Sequence, residues 1–122
     1  MGSADDLMAV LEALRDVDHS QLLAQELAAQ MLGLQVGRAG PPDPAGWGFG
    51  LGAAVLFDPA AAATPQAMGT WRWGGAYGHS WFVDPQRGLS VVALTNTLYA
   101  GMHGPFVDAL RDAIYADLDG AR

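Results

Sequence analysis

The sequence contains no cysteine and no lysine, and each absence removes a class of chemistry. Without cysteine the chain forms no disulfides and no thiolate metal sites. Its fixed positive charge comes from six arginines, against thirteen acidic residues, and the net charge is -7. Such an acidic chain is a poor match for nucleic acid or for an anionic membrane. We therefore expect neither as a partner, and no spacing of ligand residues suggests a metal site or another cofactor.

Long hydrophobic runs are also missing, although 51% of the residues are apolar. No stretch approaches the length that spans a bilayer. The first residues, Met1 to Ser3, have neither the basic start nor the apolar stretch of a secretory leader, so the expected location is cytoplasmic. We predict a single domain over residues 1–122.

Periodicity and chain breakers predict an α+β fold, an antiparallel sheet of about three to four strands with flanking helices. Residues 1–34 are predicted to be helical, with Ser3 capping the first helix and Gly33 ending the second. Antiparallel strands are expected within 46–98, and a C-terminal helix over 104–119.

Four segments carry the strand signal: Trp47 to Phe57, Thr70 to Trp73, Ser80 to Val83, and Leu89 to Thr97. The alanine- and proline-rich segment from Asp58 to Met68 is predicted to be a loop. After the third strand, the Asp-Pro pair that begins at Asp84 and the glycine at Gly88 predict a hairpin turn that Asp84 organises.

The most informative feature is the glycine pair Gly74-Gly75, which interrupts a strand rich in aromatic residues. Two consecutive glycines leave backbone N–H groups uncovered, so that another group can approach them closely. An enzyme that stabilises an oxyanion with main-chain amides needs such an edge. The alternative interpretation is a bulge or hairpin corner without chemistry.

The residues around this pair resemble a known family. The run W-G-G-A-Y-G-H-S-W-F-V-D-P, followed by G-L-S-V-V-A-L-T-N-T, resembles the C-terminal part of serine esterases built on the β-lactamase and penicillin-binding-protein fold. The likeness is closest to the family VIII carboxylesterases, in which W-G-G stands on a cleft strand in place of K-T-G. Two upstream segments, Gly46 to Gly52 and Ser3 to Leu7, resemble earlier parts of that family in the same order.

The resemblance implies catalytic roles for four consecutive residues, Trp73, Gly74, Gly75 and Ala76. In the family, the backbone N–H of the residue after W-G-G, here Ala76, is an oxyanion-hole donor. Substrate-binding roles are implied for Trp73, Tyr77 and Trp81, although aromatic strand residues are more often simply part of a core. The implied reaction is hydrolysis of a small ester, favoured over a β-lactam because Trp73 stands where a lysine would hold a substrate carboxylate.

The family's nucleophile is the serine of S-x-x-K, and a tyrosine from a Y-x-N-like motif assists it. A chain without lysine cannot contain S-x-x-K, and none of its tyrosines is followed by asparagine two residues later. We therefore expect the chain to be inactive alone. A native internal start or a truncation would explain its length, and a companion polypeptide carrying the N-terminal half is one expected partner.

A second hypothesis is a non-catalytic, self-associating or ligand-binding domain derived from this family. In the resembled fold, the strand that matches Leu89 to Thr97 pairs with an N-terminal hairpin that has no counterpart in this chain. An apolar edge strand without charged residues is a template for pairing with another chain. The expected partner at this edge is the companion polypeptide or a second copy of the chain.

Other candidate residues have weaker signals. Ser80 lies in G-H-S-W-F, which is not the G-x-S-x-G nucleophile elbow. His79 and His103 are candidate bases, but His79 precedes Ser80 on a strand, so their side chains point to opposite faces. Arg72, between two tryptophans, is predicted to be stacked or at the surface, with binding of a substrate carboxylate as the alternative.

Overall fold

A computed structural model of the chain describes residues 3–15, 25–32, 45–75, 78–97 and 105–120. Within these ranges it contains four α-helices and five β-strands. In chain order they are α1 (Ala4–Arg15), α2 (Gln25–Leu32), β1 (Trp47–Phe49), β2 (Ala54–Leu56), α3 (Pro59–Ala62), β3 (Trp71–Gly74), β4 (His79–Asp84), β5 (Leu89–Leu94) and α4 (Pro105–Gly120).

The strands form one sheet in the order β1-β2-β3-β4-β5, each antiparallel to its neighbours in the chain. The predicted antiparallel α+β architecture is confirmed, but the predicted strand count was too low. Two strands, β1 and β2, replace the single strand expected from Trp47 to Phe57. The Gly50 N–H donates to the Ala53 carbonyl at 2.9 Å, which closes a tight turn between them. The glycines around Leu51 therefore let the chain reverse, where we had expected a bend.

Helix α1 packs against one face of the sheet. The capping box predicted at its start is present: the Asp6 N–H donates to Ser3 Oγ, and the Ser3 N–H donates to Asp6 Oδ2, both at 3.2 Å. At the other end, Arg15 donates to Ser90 Oγ at 2.9 Å. The core on this face consists of Leu11, Leu14, Ala53, Val55, Trp71 and Val83. Burial of these apolar side chains is the main force that holds helix and sheet together.

Helix α4 packs against the opposite face, through Tyr115. Its ring stacks on Phe82 of β4, with 6.2 Å between the ring centroids. A second apolar cluster contains Trp47, Ala54 and Leu56. Because successive strand residues point to opposite faces, Phe82 lies on the α4 side while Val83 lies in the α1 core.

The segment predicted as a loop from Asp58 to Met68 contains the short helix α3. Asp58 caps it by accepting a hydrogen bond from the Ala61 N–H at 3.1 Å, and Pro59 occupies the first turn. The loop prediction was therefore wrong in part, because an Asp-Pro pair is also a helix-start signal. Gly33, at which the second helix was predicted to end, lies outside the described residues. None of the described helices is both long and apolar enough to cross a membrane.

Candidate active site

The glycine pair lies where β3 turns into β4. Gly74 is paired with Ser80, the Gly75 N–H donates to the His79 carbonyl at 2.9 Å, and the Gly78 N–H donates to the Gly75 carbonyl at 3.1 Å. These bonds define a tight turn from Gly75 to Gly78, which we call the glycine turn. Its central residues, 76 and 77, lie outside the described part of the chain. The predicted roles of the Ala76 amide and of Tyr77 therefore stay predictions.

The imidazole of His79 lies directly against the Cα of Gly75. A Cβ atom built on Gly75 would overlap the His79 ring at Cε1, and would come within 2.6 Å of Nδ1. Gly75 does not have the left-handed backbone conformation that itself favours glycine. The histidine ring is therefore the physical reason for glycine at this position. The sequence identified Gly75 but did not show that the His79 ring lies against it.

The other end of the turn is fixed by Thr95, which follows β5. The Gly78 carbonyl accepts two hydrogen bonds from Thr95, one from its N–H at 3.1 Å and one from its hydroxyl at 2.9 Å. The same hydroxyl accepts a bond from the Thr97 N–H at 3.3 Å. Gly78 has a φ of +101°, which requires glycine, and a Cβ there would overlap Thr95 Oγ1. These contacts end β5 at Leu94, three residues before the predicted end.

An apolar surface adjoins the glycine turn. Trp73 is 49% exposed, and Phe49 contacts it edge to face with 6.0 Å between ring centroids. Leu51 is 61% exposed. On β4, the cross-strand partner of Trp73 is Trp81, which packs at 5.6 Å on the core residue Trp71. The structure therefore brings two of the predicted substrate-binding residues, Trp73 and Trp81, side by side, with Trp73 the more exposed.

His79 and Ser80 are consecutive residues of β4, so their side chains leave opposite faces of the sheet, as predicted. Ser80 shares its face with Phe82 and therefore with α4. The two do not form a serine-histidine pair. His103, the other candidate base, lies outside the described residues.

Arg72 of β3 is the cross-strand partner of Phe82 of β4, and it therefore lies on the α4 side of the sheet. Its guanidinium stacks over the Trp47 ring at 3.9 Å, which confirms the predicted stacked role. Burial lowers the pKa of Arg72, and nearby Asp108 opposes that shift. Arg72 and Trp73 leave opposite faces of β3.

Asp84 organises the turn between β4 and β5, as predicted, and also reaches two other elements. Its fully buried carboxylate accepts bonds from the backbone N–H groups of Gln86, Arg87 and Ala67, each at 3.1 Å. The Tyr115 hydroxyl of α4 donates to it at 2.6 Å. Burial, and then this hydrogen bond, raise the pKa of Tyr115. Among the described residues, no three acidic or histidine side chains meet in a way that could hold a metal ion.

An antiparallel sheet between helices, with a W-G-G turn at the end of one strand, is the arrangement expected of a β-lactamase-like hydrolase. The chain belongs to the beta-lactamase family, and its residues 1–116 match the family described as Beta-lactamase.

Several individual proteins are similar to this chain. The chain is 55% identical over 115 residues to Esterase EstB of Burkholderia gladioli, a match that covers 94% of this chain and 29% of EstB. Protein Rv1367c of Mycobacterium tuberculosis is 41% identical over 58 residues, which are 45% of this chain and 14% of that protein. The solved structure of EstCE1, described as a hydrolase with promiscuous acyltransferase activity, matches with a TM-score of 0.81 at 50% identity, covering 93% of this chain and 30% of that one.

These comparisons confirm the resemblance to β-lactamase-like serine hydrolases and to their esterases. The chain spans less than a third of the length of EstB and of EstCE1. The activity of a whole relative is therefore not by itself an activity of this chain.

Proposed function

We propose that this chain supplies the W-G-G strand and the following backbone amide to the active site of a serine esterase. The observation that carries the proposal is the glycine turn, in which Gly74 and Gly75 have no side chains to cover the backbone while hydrogen bonds fix both ends of the turn. Likeness to Esterase EstB supports the reaction class.

The chemistry is acyl transfer from an ester to a serine and then to water. The nucleophilic serine and its lysine belong to residues beyond this sequence, since the chain has no lysine. When the serine attacks the ester carbonyl, the Ala76 N–H stabilises the negative charge that develops on the oxygen. One such donor contributes on the order of 3 kcal/mol to the transition state.

The apolar pair Phe49 and Trp73, with Leu51 exposed two residues after Phe49 in the chain, suits the acyl or alcohol group of a small ester. Each of these side chains is about half exposed or more, and none carries a charge. A β-lactam substrate would bring a carboxylate that needs a cation. Arg72 leaves the opposite face of β3 from Trp73, and its guanidinium is already stacked on Trp47, so we do not assign it that role.

The missing part of the site joins this chain at β5, in our proposal. Within the described residues, β5 pairs with β4 alone, and its sequence from Leu89 to Leu94 contains no charged residue to discourage pairing. The segment that carries the nucleophile adds a strand there, whether it belongs to a longer polypeptide or to a companion chain. A second copy of this chain at the same edge is the alternative, which corresponds to the non-catalytic function.

Native mass spectrometry of the protein, purified without denaturant from the cells that make it, distinguishes the two proposed partners at the β5 edge. We expect a complex with a polypeptide that contains S-x-x-K, with the β5 amides protected from hydrogen exchange. A homo-oligomer with the same protection would favour the non-catalytic domain. A monomer whose β5 amides exchange freely would contradict both versions.

The catalytic proposal is tested in a hybrid in which residues 1–116 replace the matching segment of Esterase EstB. We expect the hybrid to hydrolyse p-nitrophenyl butyrate. Ala76→Pro removes the proposed donor N–H. It should lower kcat about a hundredfold or more, while the matched control Ala76→Ser keeps the N–H and the activity. A folded hybrid in which the two variants are equally active would refute the oxyanion role.

A further inference from the structure

We infer that His79 and Thr95 are positioning residues that hold the two ends of the glycine turn, His79 at Gly75 and Thr95 at Gly78. The catalytic consequence of this inference rests on the proposed function, because it concerns the amide that the turn presents. The part of the inference that says how the turn is held concerns this chain alone.

At the first end, contact and hydrogen bonding act together. The His79 ring fills the space in which a side chain of residue 75 would lie, and the His79 carbonyl accepts the Gly75 N–H. The ring therefore blocks movement of the Gly75 Cα in the direction that a side chain would take, and the hydrogen bond opposes movement away from β4. Removing the ring leaves a space into which the backbone of the turn can relax.

At the second end, hydrogen bonds hold the turn. We call the contacts of His79 with Gly75 the His79 clamp, and those of Thr95 with Gly78 the Thr95 clamp. Thr95 donates to the Gly78 carbonyl through both its N–H and its hydroxyl. Rotation of the peptide group that follows Gly78 would break both bonds at once. The hydroxyl is itself held, because it accepts the Thr97 N–H. A carbonyl with both lone pairs occupied is fixed in direction, and so is the adjoining peptide plane.

The two clamps restrict the backbone on either side of the proposed oxyanion donor. A backbone amide stabilises an oxyanion only while its N–H points at the oxygen, and a flipped peptide plane within a turn redirects it. Glycines at both ends make the turn accessible to an incoming group but also intrinsically free to rotate. His79 and Thr95 hold the two ends of the turn, and the Gly78 N–H, which donates to the Gly75 carbonyl, holds the peptide group that follows Gly75.

The His79 clamp is tested by a double-mutant cycle in this chain, read by NMR hydrogen exchange at the Gly75 and Gly78 amides. Gly75→Ala alone should accelerate exchange at these amides about tenfold or more, because the new methyl group collides with the ring. In the His79→Ala background the same substitution should have little further effect. Gly120→Ala is the matched control, since a Cβ there meets nothing within 4 Å. Additive effects of Gly75→Ala and His79→Ala would overturn the assignment of His79.

The Thr95 clamp is tested with two variants of similar size. Thr95→Val removes the hydroxyl and should accelerate exchange of the Gly78 and Thr97 amides about tenfold, whereas Thr95→Ser keeps the hydroxyl and should restore slow exchange. Equal exchange in the valine and serine variants would overturn the assignment of Thr95.

The catalytic arm uses the EstB hybrid, with the same variants. His79→Ala and Thr95→Val should each lower kcat about ten- to a hundredfold while KM changes less than about threefold, and Thr95→Ser should recover kcat. An active hybrid whose kcat is insensitive to both variants would overturn the positioning role. An inactive unmutated hybrid, together with the expected exchange results, would instead refute the proposed function and leave the clamped turn standing.

Discussion

The two turns on either side of β4 are constructed in opposite ways. After Asp84, a buried carboxylate accepts three backbone N–H groups and the Tyr115 hydroxyl, so the turn is fixed by one side chain from inside. Before His79, the glycine turn contributes no side chain at either end and is held by neighbours outside it. The Asp84 turn directs its amides inward to a carboxylate. The ends of the glycine turn carry no side chain, as the proposed presentation of an amide to a substrate requires.

Asp84→Ala should be the most damaging change to the stability of the chain. It leaves three N–H groups and one hydroxyl without their acceptor, and we expect a loss of about 4 kcal/mol in the free energy of unfolding, measured with urea. The control is Asp58→Ala, which removes an exposed cap of α3 and should cost about 1 kcal/mol. Similar losses in both variants would show that the Asp84 turn is not the more strongly fixed structure.

Two glycine substitutions compare the turns directly. Gly78→Ala combines a φ of +101° with overlap on Thr95, whereas Gly88→Ala has a φ of +62° and no atom within 4 Å of the new Cβ. We expect losses of about 3 kcal/mol for Gly78→Ala and about 1 kcal/mol for Gly88→Ala in thermal or urea unfolding. If Gly88→Ala proved the more harmful, the glycine turn would not be clamped as described.

Tyr115→Phe removes one bond to the Asp84 carboxylate and should cost about 1.5 kcal/mol at neutral pH. Because the pKa of Tyr115 is raised in the folded chain, its contribution is complete below the pKa of an unfolded tyrosine, 10.0, and is lost as the pH rises above that value. The unmutated chain should therefore lose more stability between pH 9 and 11 than the variant, by at most about 1.4 kcal/mol per pH unit. Parallel curves of unfolding free energy against pH would contradict this.

Phe49→Ala should have the smallest effect on folding. The ring is about half exposed and contacts Trp73 edge to face, so we expect a loss of about 0.5–1 kcal/mol. In the EstB hybrid the same change should raise KM for p-nitrophenyl butyrate more than it lowers kcat. Leu51→Ala, at an exposed neighbouring position, provides the comparison within the same apolar surface. A fall in kcat at constant KM would place Phe49 outside the substrate-binding surface.

Local signals in the sequence predicted the parts of the fold that depend on neighbouring residues. The capping box of Ser3 and Asp6 and the Asp84 turn were predicted correctly, because each follows from side-chain chemistry over a few positions. Arg72 was predicted to be stacked or at the surface, but its stacking partner Trp47, 25 positions away, was not predicted. The hairpin at Leu51 was missed because glycines within an apolar strand are compatible with either a bend or a reversal.

The sequence contained no such local signal for contacts between distant segments. Tyr115 reaches Asp84 across 31 residues, and Thr95 reaches Gly78 across 17. The position of the His79 ring against Gly75 depends on the register of β3 and β4, which the composition of the strands does not determine. The W-G-G motif predicted the candidate site, while the contacts of His79 and Thr95 with the glycine turn became visible only in the folded chain.

The order of the strands has a consequence for how this chain folds. Every strand pairs with the next one along the chain, so the sheet can grow hairpin by hairpin with short loop closures. Docking of α1 is different, because Arg15 meets Ser90 across 75 residues. We expect the sheet to form early and α1 to join late, so that Leu11→Ala would mainly accelerate unfolding and leave the refolding rate nearly unchanged. A sheet assembled in this way can begin to fold as soon as neighbouring strands are present, before α1 has docked.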